Sequence, residues 1–489
     1  MKRITHRKKR ILFISLCCLL FLPISFNLNG ATADQENQTR EQRIEELKLK
    51  YNALEKKIKK NKRTVKHSMR KMQKQKQAMQ FRGFFSAGVA TTDGKSALRK
   101  LNDNQEIGDE PNFQSDSIVG LQLDAKINDK TRYTHQMTTA GFDIDHTVKT
   151  EWAYFSYKPF ADTTIRVGRL RIPFFLMSES LDVGFTYPWV RLPIAIYTLP
   201  MSGYEGLDVV QQFALGPGFA RTTLFFGSGL STLSALLNAN FKMSDLRGFS
   251  FDYNLNNWFL HFSYTAGNGS FVGNVSCDED SVLLAIGLVI AGGTFDQSSV
   301  DCGGIDTLTF AFSTVDSFIA SPELHISGLQ NPEDWSFTYL DFALRYDNGS
   351  SLFIAEYGEV EFSNWFNPLG PSGYMLYGYR FGSWMPYVSI GSLVTGRPTK
   401  NLVDTMAERV AASALGDTAA NSLRQLFVDA GTIISSQSYT VGVNYWINTN
   451  LRAKFEVAHY GHHKGTNGFF LTNPGSHNAV YSFAVDGVF

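Results

Sequence analysis

The sequence predicts an all-β chain: a 16-stranded antiparallel transmembrane β-barrel preceded by an N-terminal α-helical coiled coil. Three observations carry this expectation. Apolar residues alternate with a period of two through 81–489, sixteen such segments occur, and the connections between them alternate between tight and long. The 489 residues include 39 Phe, 20 Tyr, 7 Trp and 41 Gly but only 15 Pro, which excludes a disordered, collagen-like or small disulfide-stapled chain.

The net charge of +1 conceals three blocks, and each block defines a segment. Residues 1–33 carry six Lys/Arg and no acid, residues 34–80 are net +9, and residues 81–489 are net −14. The first block reads as a signal peptide. A basic head, Met1 to Arg10, leads into the apolar stretch Ile11 to Phe26, and Ala31-Thr32-Ala33 offers a small-x-small cleavage site. Sixteen residues broken by Pro23 fall short of the roughly 20 that a spanning helix needs. Cys17 and Cys18 leave with this segment, and Leu16 argues against a lipoprotein site. Export leaves Cys277 and Cys302, for which an oxidising compartment favours a disulfide that staples a loop.

The second block, 34–80, reads as a periplasmic coiled coil. Ile44, Leu47, Tyr51, Leu54, Ile58, Val65, Met72 and Met79 recur at spacings of three and four, with Asn61, Ser68 and Gln75 at the remaining d positions. Packing on a globular core is the alternative reading of the same seam. An isolated rod of this kind self-associates, and its polar d positions set register more than strength. Its positive charge suits acidic cell-wall groups such as peptidoglycan, or simply solvent.

The third block, 81–489, holds the strands: 81–90, 114–127, 130–140, 148–157, 163–170, 205–215, 219–227, 246–255, 258–266, 335–347, 350–361, 371–381, 383–396, 436–447, 451–460 and 478–489. In 451–457, Leu451, Ala453, Phe455 and Val457 share one parity, and Arg452, Lys454 and Glu456 share the other. Such a strand has water on one side only. Tight connections, among them Asn128-Asp129, Asn256-Asn257 and Asn348-Gly349, alternate with longer ones up to the stretch 267–334, and short turns are expected at the periplasmic end. Two further strands could lie in 281–292 and 306–319. The final strand ends Tyr481, Phe483, Val485, Gly487, Phe489 on one parity, the aromatic-ended pattern that the barrel-assembly machinery of Gram-negative bacteria reads. Outer-membrane lipid and lipopolysaccharide are the surroundings this implies.

The connection 171–204 is too apolar for an exposed loop. It contains Phe174, Phe175, Leu176, Met177, Phe185, Tyr187, Trp189, Ile194, Ile196, Tyr197 and Leu199, with Arg171, Glu179, Asp182 and Arg191 as its charges. The lumen is the available place to bury it, where its ionisable groups would act on permeating ions. The expected constriction comprises Arg169, Arg171, Glu179, Asp182, Tyr187, Arg191, Tyr197, Tyr204 and Glu205. Arg132, Arg166, Arg221, Arg380, Arg452 and Lys454 are expected along the lumen, because an Arg facing lipid at the midplane costs about 2–4 kcal/mol.

Here the sequence resembles Gram-negative porins of the phosphate-selective and DcaP-like group. The resemblance lies in Arg166-Val167-Gly168-Arg169 followed by Pro173-Phe174, in Leu181-Asp182-Val183-Gly184, in Tyr187-Pro188-Trp189-Val190-Arg191-Leu192-Pro193, in Tyr204-Glu205-Gly206, in the heptad rod and in the terminal Phe. It implies a homotrimeric, general or anion-leaning porin whose third loop forms the eyelet. No run of lumen lysines supports phosphate specificity. Much of the negative charge lies in 267–334, which holds ten acids, so a mild anion preference set by Arg169, Arg171 and Arg191 is the expectation; ion pairs with Glu179, Asp182 or Glu205 are the alternative.

Catalytic patterns do not emerge. Neither Gly-x-Ser-x-Gly nor His-Glu-x-x-His occurs, and 88–96, GVATTDGKS, has the wrong spacing for a phosphate loop. His459, His462 and His463 read as surface histidines at a strand end, and the apolar run Val282 to Ala291 as a hairpin above the pore. No cofactor, metal, nucleic acid or enzymatic turnover is expected. The reading is therefore passive diffusion of small solutes; a structural protein tethering the envelope through its basic rod is the first alternative, an outer-membrane hydrolase the second.

Overall fold

The computed structural model describes residues 33–99, 106–141, 148–199, 202–233, 239–272, 335–363, 369–412, 416–429, 433–462, 465–475 and 478–489. The expected signal peptide, the Cys277–Cys302 pair, the run Val282 to Ala291, the two further strand candidates and His463 lie outside these residues. The described chain divides into two units, Met1–Lys76 and Gln77–Phe489.

In the first unit a single helix dominates, α1 (Ala33–Ala78). Ile44, Leu47, Tyr51, Leu54, Ile58 and Val65 of the heptad seam are all exposed along it. Lys50–Glu46 and Lys59–Glu55 form i,i+4 pairs at 2.6 and 2.9 Å, each worth only about 0.3–0.5 kcal/mol. These local contacts leave the seam uncovered.

The second unit is a closed antiparallel barrel. Its sixteen strands are β1 (Met79–Thr92), β2 (Ile118–Lys126), β3 (Thr131–Ala140), β4 (Lys149–Phe160), β5 (Thr163–Arg171), β6 (Gly203–Leu215), β7 (Gly218–Leu233) and β8 (Ala239–Leu255), then β9 (Trp258–Val272), β10 (Trp335–Asp347), β11 (Ser351–Phe362), β12 (Ser372–Tyr379), β13 (Trp384–Val394), β14 (Ser435–Asn448), β15 (Leu451–His462) and β16 (Ala479–Val488). Each pairs with its sequence neighbours, and β1 closes on β16 through Phe84↔Val488 to Thr92↔Val480. Closure is the condition for standing in hydrocarbon, since an unpaired backbone group there costs several kcal/mol.

β9 pairs directly with β10 across the longest connection, so the wall closes without any strand between them. β7 and β8 run well beyond the expected 219–227 and 246–255, because their pairing continues past an irregularity at Met243/Leu246 to Ala239↔Leu233. The connection between β13 and β14 contains a helical hairpin that period-two reading does not reveal, α2 (Arg397–Ala412) and α3 (Gly416–Asp429). Val403 and Ala407 of α2 and Ala420 and Leu423 of α3 are buried, and Arg424 Nε approaches Asp404 Oδ1 at 3.4 Å. A two-residue ladder, Leu98–Arg99 with Glu106–Ile107, lies in the connection after β1.

Alternation divides the wall cleanly. Leu121, Phe155, Val167, Phe226, Phe342, Val388, Val441, Phe455 and Phe483 are exposed on the outside, whereas Asp124, Thr134, Asp208, Asp341, Glu356, Lys454, Glu456 and Asp486 are buried on the inside. An apolar outside with a polar inside is the arrangement of a barrel dissolved in lipid. Among the described residues no helix is long and apolar enough to cross a membrane.

Gly168 on β5 has φ +135°, a backbone region that side-chain-bearing residues avoid, and a Cβ there would run into the Ala153 carbonyl of β4. Gly168→Ala is expected to destabilise the barrel by about 1–3 kcal/mol, read as a lower urea midpoint for unfolding of the protein reconstituted in lipid vesicles.

Candidate functional site

The connection between β5 and β6 turns into the barrel and is held there by side chains of the inner wall. Two short 3-10 turns, Ser178–Ser180 and Gly184–Thr186, fold it, and most of its aromatic and aliphatic side chains are buried. Phe174 packs on Tyr339 of β10 at 5.0 Å between ring centroids, and Trp189 stands edge-on to Tyr374 of β12 at 5.1 Å.

On one side the loop is fastened by β15. Lys454 Nζ donates to the carbonyls of Gly184 and Trp189 at 2.7 and 2.6 Å and pairs with Asp486 of β16 at 2.7 Å. Arg452 Nη2 donates to the Gly184 carbonyl at 2.9 Å and to that of Tyr187. Glu456 accepts from the Val190 amide at 3.0 Å and the Tyr387 hydroxyl at 2.7 Å. Gly184 is required at this crossing, because a Cβ would lie 2.5 Å from Ser86 Oγ and 2.6 Å from Asp486 Oδ1.

On the other side Glu356 of β11 takes the same part. It accepts from the Leu176 amide at 2.8 Å, the Tyr197 hydroxyl at 2.7 Å and the Tyr374 hydroxyl at 2.6 Å. Ser263 Oγ of β9 donates to the Phe174 carbonyl at 2.7 Å. Arg191 is enclosed with Asp116, its Nε 3.0 Å from Asp116 Oδ1. Arg171 bridges Glu151, at 3.1 Å, and Asp182. Burial pushes the Asp182 carboxyl above the ordinary carboxylate range, opposed by Arg171 and reinforced by Glu151.

Between the Pro173–Glu179 limb and the wall of β4, β5 and β7–β9 a cavity of about 100 Å³ remains. Arg166, Arg171, Arg221, Glu179, Asp252 and His261 supply its charged and titratable lining, and Trp152, Phe175 and Phe259 its aromatic lining. Arg166 makes three hydrogen bonds of 2.7–3.0 Å to Asp208, itself 1% exposed. Arg221 Nη2 meets Glu179 Oε1 at 2.5 Å, and Arg166 Nη1 stands 3.9 Å from the same oxygen. Desolvation works against charge on Glu179, but Arg221 and then Arg166 outweigh it and hold the carboxyl below its ordinary range. A lowered acid stabilises the loop at pH values above its ordinary 4.5, and that contribution is lost as pH falls through the lowered value.

The expected residues therefore separate. Arg171 and Glu179 line the cavity, and Asp182, Tyr187, Arg191 and Tyr197 lie in the loop as its internal struts. Tyr204 is a wall residue, its hydroxyl 3.2 Å from Asp208. Arg169 and Glu205 do not belong to this set. They pair with each other at 2.5 Å, and they alternate onto the face of Val167 and Leu207, away from the lumen, because Arg166 and Asp208 take the inward parity. Of the three arginines expected to set selectivity, Arg171 alone lines the cavity, since Arg169 is outside and Arg191 is sealed against Asp116.

Among the expected lumen residues, Arg166 and Arg221 line the cavity. Arg132 has the inward parity of Thr134 and is exposed. Arg380 sits at the turn between β12 and β13 on Asp347, at 2.6 Å. Arg452 and Lys454 face inward but are covered by the loop. Sequence reading missed the acids that complete these contacts, Asp116, Glu151, Asp208, Asp252, Glu356, Glu456 and Asp486. The inward parity of the strand acids was the available signal. Among the described residues no group of three or more His, Cys, Asp or Glu is placed to hold a metal.

No family model matches the chain, and no curated protein does. Among solved structures, the chain is similar to a loop L8 deletion mutant of OmpT, an outer-membrane protein of Vibrio cholerae, at 11% identity and TM-score 0.45, covering 84% of this chain and 99% of that one. It is also similar to the outer-membrane channel DcaP of Acinetobacter baumannii, at 8% and 0.46, covering 84% and 97%, and to Pseudomonas putida OprB, at 8% and 0.44, covering 84% and 94%. At such identities and scores nothing of those proteins' activity transfers.

Lys454→Met leaves Asp486 buried without its partner, an expected loss of about 3–5 kcal/mol, together with two carbonyl contacts of the loop. Urea unfolding should register the loss, and limited proteolysis in detergent should begin to cut within 171–204. Adding Asp486→Asn should restore part of the stability.

Proposed function

We propose that the protein is an outer-membrane porin through which small hydrophilic solutes diffuse passively, with the inward loop 171–204 narrowing the lumen and giving a mild preference for anions. The observation that carries this reading is a sixteen-stranded closed wall, apolar outside and charged inside, with one loop fastened to its inner face. A barrel of this strand number encloses an aqueous space rather than a core of side chains. At the cavity beside the loop, Arg166 is paired with Asp208 and Arg171 with Glu151 and Asp182, whereas Arg221 meets only the half-exposed Glu179 among the described residues. Fixed charge at a narrow point acts on ions at short range, so the anion preference is assigned to Arg221, the least neutralised of these arginines, while much of the net negative charge of 81–489 lies in 267–334.

In this reading α1 is a periplasmic coiled coil that joins copies of the chain, three of them in keeping with the sequence resemblance. The assembly is enclosed by lipid and lipopolysaccharide and inserted by the barrel-assembly machinery through β16. A second reading has support in the extent of the loop's anchorage, which reaches β7, β9, β11, β15 and the segment before β2. A loop held so widely suits a plugged barrel whose basic α1 ties the envelope to peptidoglycan.

Planar-bilayer recording of the purified protein separates the two: discrete conductance steps support the porin, a silent membrane the tether. Removal of 174–199 is expected to raise single-channel conductance several-fold. Arg221→Ala is expected to move the reversal potential in a salt gradient toward cations, whereas Arg191→Ala, at a site closed off from the lumen, should leave it near the parent value.

A further inference from the structure

The anions around the cavity are held in two different ways. Asp208 is fully enclosed and takes three hydrogen bonds from Arg166 and one from Tyr204. Asp252 is engaged by His261 Nδ1 at 2.7 Å. These are permanent counter-ions of the wall. Glu179 is different. It belongs to the loop, its side chain is 53% exposed, and it is fastened by one hydrogen bond, to Arg221. Among the described residues Arg221 has no other hydrogen-bond acceptor, and its Nε, buried, has no partner.

A carboxylate on an exposed side chain, resting on a cation beside a cavity, is in effect a ligand already in place. We infer that Glu179 is a tethered competitor that the carboxylate of a permeating solute displaces from Arg221. The inference rests on the porin reading and names the solute class of that same site. Displacement needs no bond to break covalently: one carboxylate replaces another on the guanidinium, and Glu179 turns into the water of the lumen. Arg166, 3.9 Å from Glu179, adds its field without giving up Asp208. The rest of the lining sets the shape of the solute. Trp152, Phe175, Leu176 and Phe259 supply apolar lining to the same cavity, which suits a carboxylate on a short apolar body. A doubly charged solute would bring its second charge toward Asp252 and those apolar walls.

The test uses the full-length protein in a planar bilayer with potassium chloride and sodium propionate as the blocking probe. Propionate should reduce the parent current in a saturable way. Glu179→Gln removes the competing charge and is expected to lower the half-blocking concentration roughly five- to tenfold, whereas Arg221→Gln should abolish the block in a channel that still passes current in potassium chloride, shifted toward cations. An unchanged or higher half-blocking concentration in Glu179→Gln overturns the inference while leaving the porin reading intact. If the parent forms no channel, the porin reading fails first. Propionate binding to the detergent-solubilised parent and the two variants, followed by NMR line broadening, then decides the inference alone: tighter binding in Glu179→Gln and none in Arg221→Gln support it, and no difference removes it. Retained heat-modifiable migration on gels establishes that each variant is folded.

Discussion

The interior depends on buried charged side chains whose partners are backbone atoms of one loop. Lys454, Arg452 and Glu456 on one side and Glu356 on the other bind the carbonyls and amides of Leu176, Gly184, Tyr187, Trp189 and Val190. Such groups are costly to bury, and they are tolerable only when every charge is met. The loop and the wall therefore require each other. Without the wall the loop's peptide groups would lie in an apolar knot with nothing to bond; without the loop Lys454 and Asp486 would be an isolated pair in a wide aqueous channel.

This mutual requirement has a consequence for dynamics. A segment held by neutral contacts can slide, whereas one held by paired ions moves only if several are released together. The loop is thus fastened at many points, and its least enclosed charged group is Glu179, whose side chain is half exposed. The N-terminal helix is governed by other physics: α1 has i,i+4 pairs and an apolar seam that its own chain leaves exposed, so local contacts alone hold it weakly.

Strand positions were legible because period-two alternation is local: Leu451 to Val457 shows its two faces without reference to any other strand. The tight turns were equally legible, since Asn256 with φ +53° and Gly349 with φ +88° occupy backbone conformations those residue types favour. The hairpin of α2 and α3 was not, because short amphipathic helices in a long connection carry no alternation. Within the site, the burial of 171–204 could be read from its aromatic content. Which of its charges face the cavity could not. Arg171 and Arg191 both lie in that connection, where no alternation fixes direction, yet Arg171 lines the cavity and Arg191 is enclosed against Asp116.

By itself the sequence determined the closed barrel, the alternation of its walls and the burial of 171–204, because each follows from periodicity and from the cost of exposing apolar surface; closure at sixteen strands was decided by the pairing of β9 with β10. Tertiary structure alone decided the pairing of charges: Arg191 on Asp116, Lys454 on Asp486, Arg221 on Glu179. Those partners lie 75, 32 and 42 positions apart, and each charge is satisfied by whatever the closed wall brings within hydrogen-bonding distance. Coulomb attraction at that range depends on position in space, which sequence separation does not encode.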